Sequence, residues 1–294
     1  MTIPLPLTGA LPVWVDLLAL LLIAIAAGLL GSLVGVGGGI ILVPVLVLVF
    51  GVEIHLAIAA SLVAVIANSC GAASTFVEEG LTDLRTGMFL ETATAVGGLA
   101  GAVVAVTFLA SHGNVLALAF VPVVLLSLFL LLRQPNTGTD DTAPRDWLSQ
   151  RLRLEGEYVS RATGGPAHYH VSRAGVGLGL AGISGFFSGL VGVGGGNINV
   201  PAMNGTMNVP FRPAAATSTF MIGVTASAGA LVFLFAGDLQ LFLAAPIAVG
   251  GVVGSYAGSI FQDRATAGRL RSILLCVLVF AAVVMAARGL GYLG

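Results

Sequence analysis

Residues 33–44 read LVGVGGGIILVP, and residues 190–201 read LVGVGGGNINVP. Ten of these twelve positions are identical, at a constant offset of 157. The same offset pairs Ser61 with Ser218, Gly80 with Gly237, Gly97 with Gly254 and Gly101 with Gly258. The chain is therefore two copies of one pattern. Three consecutive glycines are out of place in a helix interior, where each costs about 1 kcal/mol relative to alanine. Both triplets, Gly37–Gly39 and Gly194–Gly196, are followed a few residues later by a proline, Pro44 or Pro201. The motif predicts a helix that breaks and restarts.

The surroundings of the motif point to lipid. Of 294 residues, 57% are hydrophobic and only 9% charged, with a mean hydropathy of +1.04. Soluble domains carry roughly a quarter charged residues, and a soluble globule of this length could not hide so much apolar surface. The composition also excludes disorder, collagen and a disulfide scaffold. There are 12 arginines and no lysine, which excludes a P-loop ATPase and a Schiff-base enzyme. A net charge of −1 offers no basic footprint for nucleic acid.

A bilayer core about 30 Å thick needs about 20 apolar residues per helix. Full spans are predicted at about 12–34, 55–77, 86–109, 114–132, 174–193, 212–236, 239–261 and 270–290, with shorter apolar pieces at 40–50 and 197–208 after the glycines. Eleven of the 25 charged residues fall between Arg133 and Arg173. The positive-inside rule places that loop, and the one carrying Arg264, Arg269 and Arg271, in the cytoplasm. Counting the short pieces as crossings gives ten, with both termini outside; treating them as re-entrant gives eight. Five crossings per copy would invert one copy relative to the other, as in many secondary transporters. The N-terminus has no basic residue, so 17–34 reads as a retained span rather than a signal peptide. The expected fold is thus all-α: a polytopic membrane bundle of two inverted five-helix repeats, at 1–133 and 174–294, joined by a loop at 134–173. Cys70 and Cys276 read as small buried thiols. In the loop, Thr142-Ala-Pro-Arg-Asp suggests a helix start and Thr163-Gly-Gly-Pro a hairpin turn. His168 and His170 lack a third ligand at convincing spacing, so no metal is expected and a solvated loop is.

A helix restarting after glycines leaves up to four unpaired N–H groups in its first turn. With the helix dipole they form an anion site. Two such elements facing each other would cradle a small anion without any cation. Packing is the alternative for glycine in membranes, and Gly97/Gly101 and Gly254/Gly258 are assigned to it. Candidate binding residues are Gly37, Gly38, Gly39, Gly194, Gly195, Gly196, Asn197, Asn199, Ser61, Asn68, Thr217, Ser218 and Thr219, although a single serine or threonine commonly bonds its own helix instead. Glu91 is expected near the cytoplasmic end of its span as a solvated carboxylate, with proton coupling as the alternative. Arg212, the repeat equivalent of His55, is a candidate rim cation. No nucleophile–base pair or metal cluster lies in the spans, so an enzyme is not expected and no cofactor is implied.

The duplicated GVGGG…P motif, the central loop and the size resemble the sulfite exporter TauE/SafE family, also called toluene-sulfonate uptake permeases, over about residues 12–290. The motif residues carried over are Gly35, Gly37–Gly39 and Pro44, with Gly192, Gly194–Gly196 and Pro201. A Thr-Ser pair associated with the family matches Thr217-Ser218, whereas the first copy has Ala60-Ser61. The resemblance implies a permease for sulfite, sulfonates or sulfoacetate. The expectation is a secondary transporter of a small sulfur-containing anion working by alternating access, with a passive anion channel as the alternative. Lipid and the anion are its partners, and an importer would add a coupled H+ or Na+. Oligomeric state is left open.

Overall fold

The computed structural model describes residues 13–109, 113–132, 146–159, 165–262 and 267–289. Among them, the first copy forms α1 (Val13–Val34), α2 (Gly39–Leu48), α3 (Ile54–Glu78), α4 (Leu84–Val104), α5 (Gly113–Leu118) and α6 (Phe120–Leu132). A short α7 (Trp147–Arg151) and strands β1 (Glu155–Val159) and β2 (Pro166–His170) follow. The second copy forms α8 (Ala174–Val191), α9 (Gly196–Thr206), α10 (Phe211–Ala236), α11 (Leu241–Gln262) and α12 (Ala267–Gly289). Six helices among the described residues are long and apolar enough to cross a membrane. The chain is thus a mostly helical, polytopic membrane bundle.

Local chemistry explains the helix ends. The expected span 114–132 divides at Ala119 into α5 and α6. Pro122 has no N–H to donate back to Leu118, which breaks the ladder there. The pieces after the glycines become α2 and α9, of 10 and 11 residues. At 1.5 Å per residue they are about 15 Å long, half a hydrocarbon core. Gly80 and Gly237 follow α3 and α10 with left-handed φ of 66° and 85°, so the shared offset extends to these turns.

The two copies interlock. By the offset of 157, α8, α9, α10 and α11 repeat α1, α2, α3 and α4. In space, α1 lies along α11 and α8 along α4, while α3 packs on α11 and α10 on α4. Each copy's fourth helix therefore sits with the other copy's first and third. The glycines assigned to packing make this possible. A Cβ at Gly97 or Gly101 would strike the backbone of Gly182 or Phe186, and one at Gly254 or Gly258 that of Ile25 or Leu29. These partners are themselves related by 157. The equivalent helices α3 and α10 run antiparallel across the centre. Ser69 donates to the Thr219 carbonyl at 2.7 Å, Phe76 clusters with Ala216, and at the other end His55 lies 3.9 Å from Asp238.

Two expectations are corrected. Cys70 and Cys276 are free thiols on the exterior of the bundle, not buried ones. In lipid an outward thiol meets an apolar medium, so the bundle interior has no special claim on it. The loop also differs from a solvated one. The hairpin forms as expected, with Glu155 opposite His170 and Glu157 opposite His168. Each histidine Nδ1 lies 3.7 Å from its glutamate, and no metal-holding group occurs among the described residues. But the strand alternation turns Tyr169 inward. It is 2% exposed, clustered with Leu154, Val171, Leu90, Met203 and Met207. The expected helix start at 142–145 lies outside the described residues.

The Tyr169 hydroxyl donates to Asp83 Oδ2 at 3.3 Å. The other oxygen of Asp83 caps α4 by accepting from the Thr86 N–H at 3.0 Å, and the Asp83 N–H donates to Thr217 Oγ1 at 2.9 Å. Burial, and then the Asp83 carboxylate, push the Tyr169 phenol above its ordinary range. The unfolded chain then ionises first, so this contribution to stability is present below about pH 10 and falls as pH rises beyond it. Tyr169→Phe keeps the ring and removes the donor. It is expected to cost about 1 kcal/mol in thermal unfolding of the detergent-purified protein. No change at neutral pH would show that the Tyr169 hydroxyl adds nothing to docking.

Candidate functional site

The two glycine breaks have the same backbone. Gly35, Gly37 and Gly38 have φ of 76°, 79° and 78°, and Gly192, Gly194 and Gly195 have 73°, 85° and 80°. This left-handed region is cheap only for glycine, which is why the motif needs glycine at these places. Gly39 and Gly196 then open α2 and α9, and every residue of both breaks is buried.

The breaks meet, backbone on backbone. A Cβ on Gly39 would lie 2.5 Å from the Gly192 carbonyl oxygen and 3.2 Å from Val193 Cα. A Cβ on Gly196 would strike the Gly35 carbonyl oxygen and lie 2.7 Å from Val36 Cα. The two contacts are repeat equivalents. The polar hollow expected between the breaks is filled by this contact and by Val65 and Ile222, which press on Gly37, Gly39 and Gly194.

Hydrogen bonding at the breaks is lopsided. Ser61 Oγ, on α3, donates to the Gly192 carbonyl at 2.8 Å, and its equivalent Ser218, on α10, donates to the Gly35 carbonyl at 2.9 Å. Each serine thus clasps the other copy's break. Asn68 Nδ2 donates to the Gly37 carbonyl at 2.6 Å, and Ser184 Oγ to the Gly195 carbonyl at 2.6 Å. Four glycine carbonyls are thus engaged by side chains, and the Val36 and Gly192 N–H groups donate back to the Gly31 and Ser188 carbonyls, but the leading amides of the two restarting helices are not engaged. The first helical bonds come from Ile41 and Ile198, donating to Gly38 and Gly195. The N–H groups of Gly39 and Ile40, and of Gly196 and Asn197, precede them and have no protein acceptor among the described residues. With the helix dipoles of α2 and α9 behind them, these hydrogens favour negative charge.

The structure sorts the remaining candidates. Asn197 donates to Ser127 Oγ on α6 at 3.0 Å, while Asn197 Oδ1, Asn199 Nδ2 and Asn68 Oδ1 are buried without hydrogen-bond partners. Of the 217–219 cluster only Ser218 holds a break. Thr217 receives the Asp83 N–H, and Thr219 bonds its own helix at Ala215. Arg212 is the half-buried second residue of α10. Glu91 departs from expectation: it is 9% exposed rather than solvated, and it accepts from Thr225 Oγ1 at 2.9 Å. It lies two turns inside α4, where α8 and α10 close over it. Sequence reasoning missed Val65, Ile222, Ser184 and Ser127. The first two had a signal, since they are equivalents on the same face as Ser61 and Ser218.

These features have known relatives. The sulfite exporter TauE/SafE family model matches residues 20–285. The chain belongs to this family. A Bacillus subtilis (strain 168) protein named "Probable membrane transporter protein YunE" is 26% identical over 272 residues, covering 88% of this chain and 93% of the relative. No solved structure matches the chain significantly. Family and relative together make this TauE/SafE protein a membrane transporter, not a member of an enzyme family.

The break-to-break contact can be tested without touching a left-handed φ. Gly39→Ala and Gly196→Ala add a Cβ in helical backbone but against the opposite break, so each is expected to lower stability by about 1–3 kcal/mol. Gly179→Ala, whose Cβ would meet open space on α8, is the control and is expected to change stability by less than about 1 kcal/mol. Equal thermal unfolding temperatures for all three variants would refute the contact.

Proposed function

We propose that the protein is a secondary transporter of a small sulfur-containing anion, such as sulfite, a sulfonate or sulfoacetate, in a prokaryotic inner membrane, with the hairpin loop in the cytoplasm. One observation carries the anion reading: at each break two glycine carbonyls accept from side-chain donors, while the leading amide hydrogens of α2 and α9 have no protein acceptor among the described residues. A sodium site would use the carbonyls the other way round. The sulfur comes from the family description alone.

Alternating access between inverted repeats is the mechanism we propose. The antiparallel pairing of the equivalent helices α3 and α10 supports inversion. The packed contact between the breaks favours a gated cycle over a passive channel, because the amides meet solute only after Val65 and Ile222 withdraw. Binding residues in that cycle are the leading amides of α2 and α9 and Asn199 Nδ2, a buried donor without a partner, joined by Asn197 and Asn68 once their Nδ2 groups leave Ser127 and the Gly37 carbonyl. The membrane potential pushes an anion outward by about 2.3 kcal/mol per charge per 100 mV, so export can run on it and import needs a coupled ion.

The test is thermal stabilisation of the purified protein by sulfite, thiosulfate, sulfoacetate, taurine and a carboxylate lacking sulfur. Sulfite or a sulfonate is expected to raise the unfolding temperature, and taurine is not, because neither break carries a carboxylate to pair its ammonium group. Asn197→Leu combined with Asn199→Leu is expected to abolish the shift while the variant stays folded. An undiminished shift would remove both asparagines from the site, and a shift with the plain carboxylate alone would overturn the sulfur reading.

A further inference from the structure

The mechanism above leaves a buried ionisable group unused: Glu91 on α4, whose partner Thr225 lies on α10, the helix that clasps a break. Glu91 lies eight residues after the α4 cap Asp83, about 12 Å along the axis. One carboxylate oxygen accepts from Thr225; the other is buried with no donor in hydrogen-bond geometry, the neighbouring Thr94 hydroxyl donating instead to the Glu91 backbone carbonyl at 3.1 Å. The elements around it bring no compensating charge. Helix α8 has no ionisable residue and α10 has only Arg212, at its start. On α4 itself Asp83 and Arg85 mark the beginning, and the docked hairpin presents Tyr158 and Tyr169 beside Leu90. Among the described residues none of these hydrogen-bonds or ion-pairs with the Glu91 carboxylate.

An ionised carboxylate with one donor, buried at membrane depth, is far costlier than a neutral acid with one idle hydroxyl. In this closed packing Glu91 therefore holds a proton. Helix α10 links that proton to the breaks. Ser218, Ile222 and Thr225 fall at i, i+4 and i+7 on one face. The first clasps Gly35, the second presses on Gly37, and the third holds Glu91. In the other copy the equivalents are Ser61, Val65 and Asn68, and there the third residue reaches a break carbonyl instead. So α10 cannot move to uncover the amides without disturbing the seat of the carboxylate. Thr225 can then turn to its second acceptor, the Met221 carbonyl at 3.3 Å.

We propose that Glu91 is the proton-carrying residue of the transporter, and that it retains its proton while an anion occupies the breaks, so that proton and anion cross together. The sign follows from electrostatics: an anion beside α10 opposes a second negative charge on Glu91. Linkage makes the effect reciprocal, so anion affinity rises as pH falls. This rests on the anion-transport reading above.

The experiment uses the full chain in two forms. In proteoliposomes, uptake of labelled sulfoacetate, whose acid groups stay ionised near neutral pH, is measured with and without a pH gradient, acid outside. Wild type is expected to accumulate it. Glu91→Gln, which keeps the acceptor for Thr225, is expected to lose about tenfold of the gradient-driven accumulation while retaining exchange at zero gradient. In purified protein, the infrared carboxylic-acid C=O stretch at neutral pH is expected in wild type, absent in Glu91→Gln and shifted in Thr225→Val. Accumulation in Glu91→Gln equal to wild type, or no such band at neutral pH, would overturn the proposal. If wild type moves none of the sulfur anions, the transport reading fails and the band alone decides for or against Glu91 as the proton site. Should Glu91→Gln fail to fold, the Thr225→Val band shift decides it.

Discussion

The fold depends on one close approach: two stretches of unwound backbone touch in the middle of a lipid-embedded bundle with no side chain between them. Gly39 lies against the Gly192 carbonyl and Gly196 against that of Gly35, and no residue with a Cβ fits at either contact. Unwound backbone at membrane depth is tolerated only where it is buried in protein or lines a cavity. Here protein supplies half of what it needs. Ser61, Ser218, Asn68 and Ser184 take the carbonyls, and the leading amides of α2 and α9 are left. The contact is tight in packing and incomplete in hydrogen bonding. That combination suits an element which must open for a ligand to complete it.

The interlocking of the copies follows from the same need for closeness. Lipid gives helices no hydrophobic reason to associate, so small residues that let backbones touch decide the partners. Gly97 and Gly101 carry α4 onto α8, and Gly254 and Gly258 carry α11 onto α1. A movement that separated residues 13–132 from 174–289 would tear both seams. A movement of α8, α10 and α4 against α1, α3 and α11 would keep both seams and part only the breaks and the α3–α10 face. Packing therefore selects which groups of helices can shift, and it crosses the boundary drawn by sequence.

That is also where sequence legibility ended. The duplicated motif, most helix limits and the hairpin could be read, because glycine, proline and charge are local signals; the division of 114–132 at Ala119 was not read. The exchange of fourth helices could not. Every face of a membrane helix is apolar, so periodicity does not say which face meets which neighbour. The cysteines misled for the same reason: an apolar span does not reveal whether Cys70 turns inward or toward lipid. Tyr169 was hidden by its hydrophilic surroundings, since its burial depends on Leu154, Met203 and Met207 arriving from other elements. The serines were read as candidate anion ligands, whereas the atoms they bond are backbone carbonyls of the opposite copy, which leave no trace in composition.

Within this near-symmetric scaffold the polar chemistry is one-sided. At matching positions the first copy has Ile40, Leu42 and Ala60 where the second has Asn197, Asn199 and Thr217. The carboxylate reverses the pattern: Glu91 belongs to the first copy, opposite Ala248, yet it is seated by Thr225 of the second. The exchange of fourth helices explains how. By carrying α4 across to α8 and α10, it delivers the first copy's sole intramembrane acid between residues 84 and 104 to the side that holds the asparagines. On the anion reading proposed above, backbone amides from both copies keep the site symmetric where a small anion needs only hydrogen-bond donors. Side chains gathered on one side give it a direction, because α10 moving away from α4 and α3 moving away from α11 do not have the same consequence for charge.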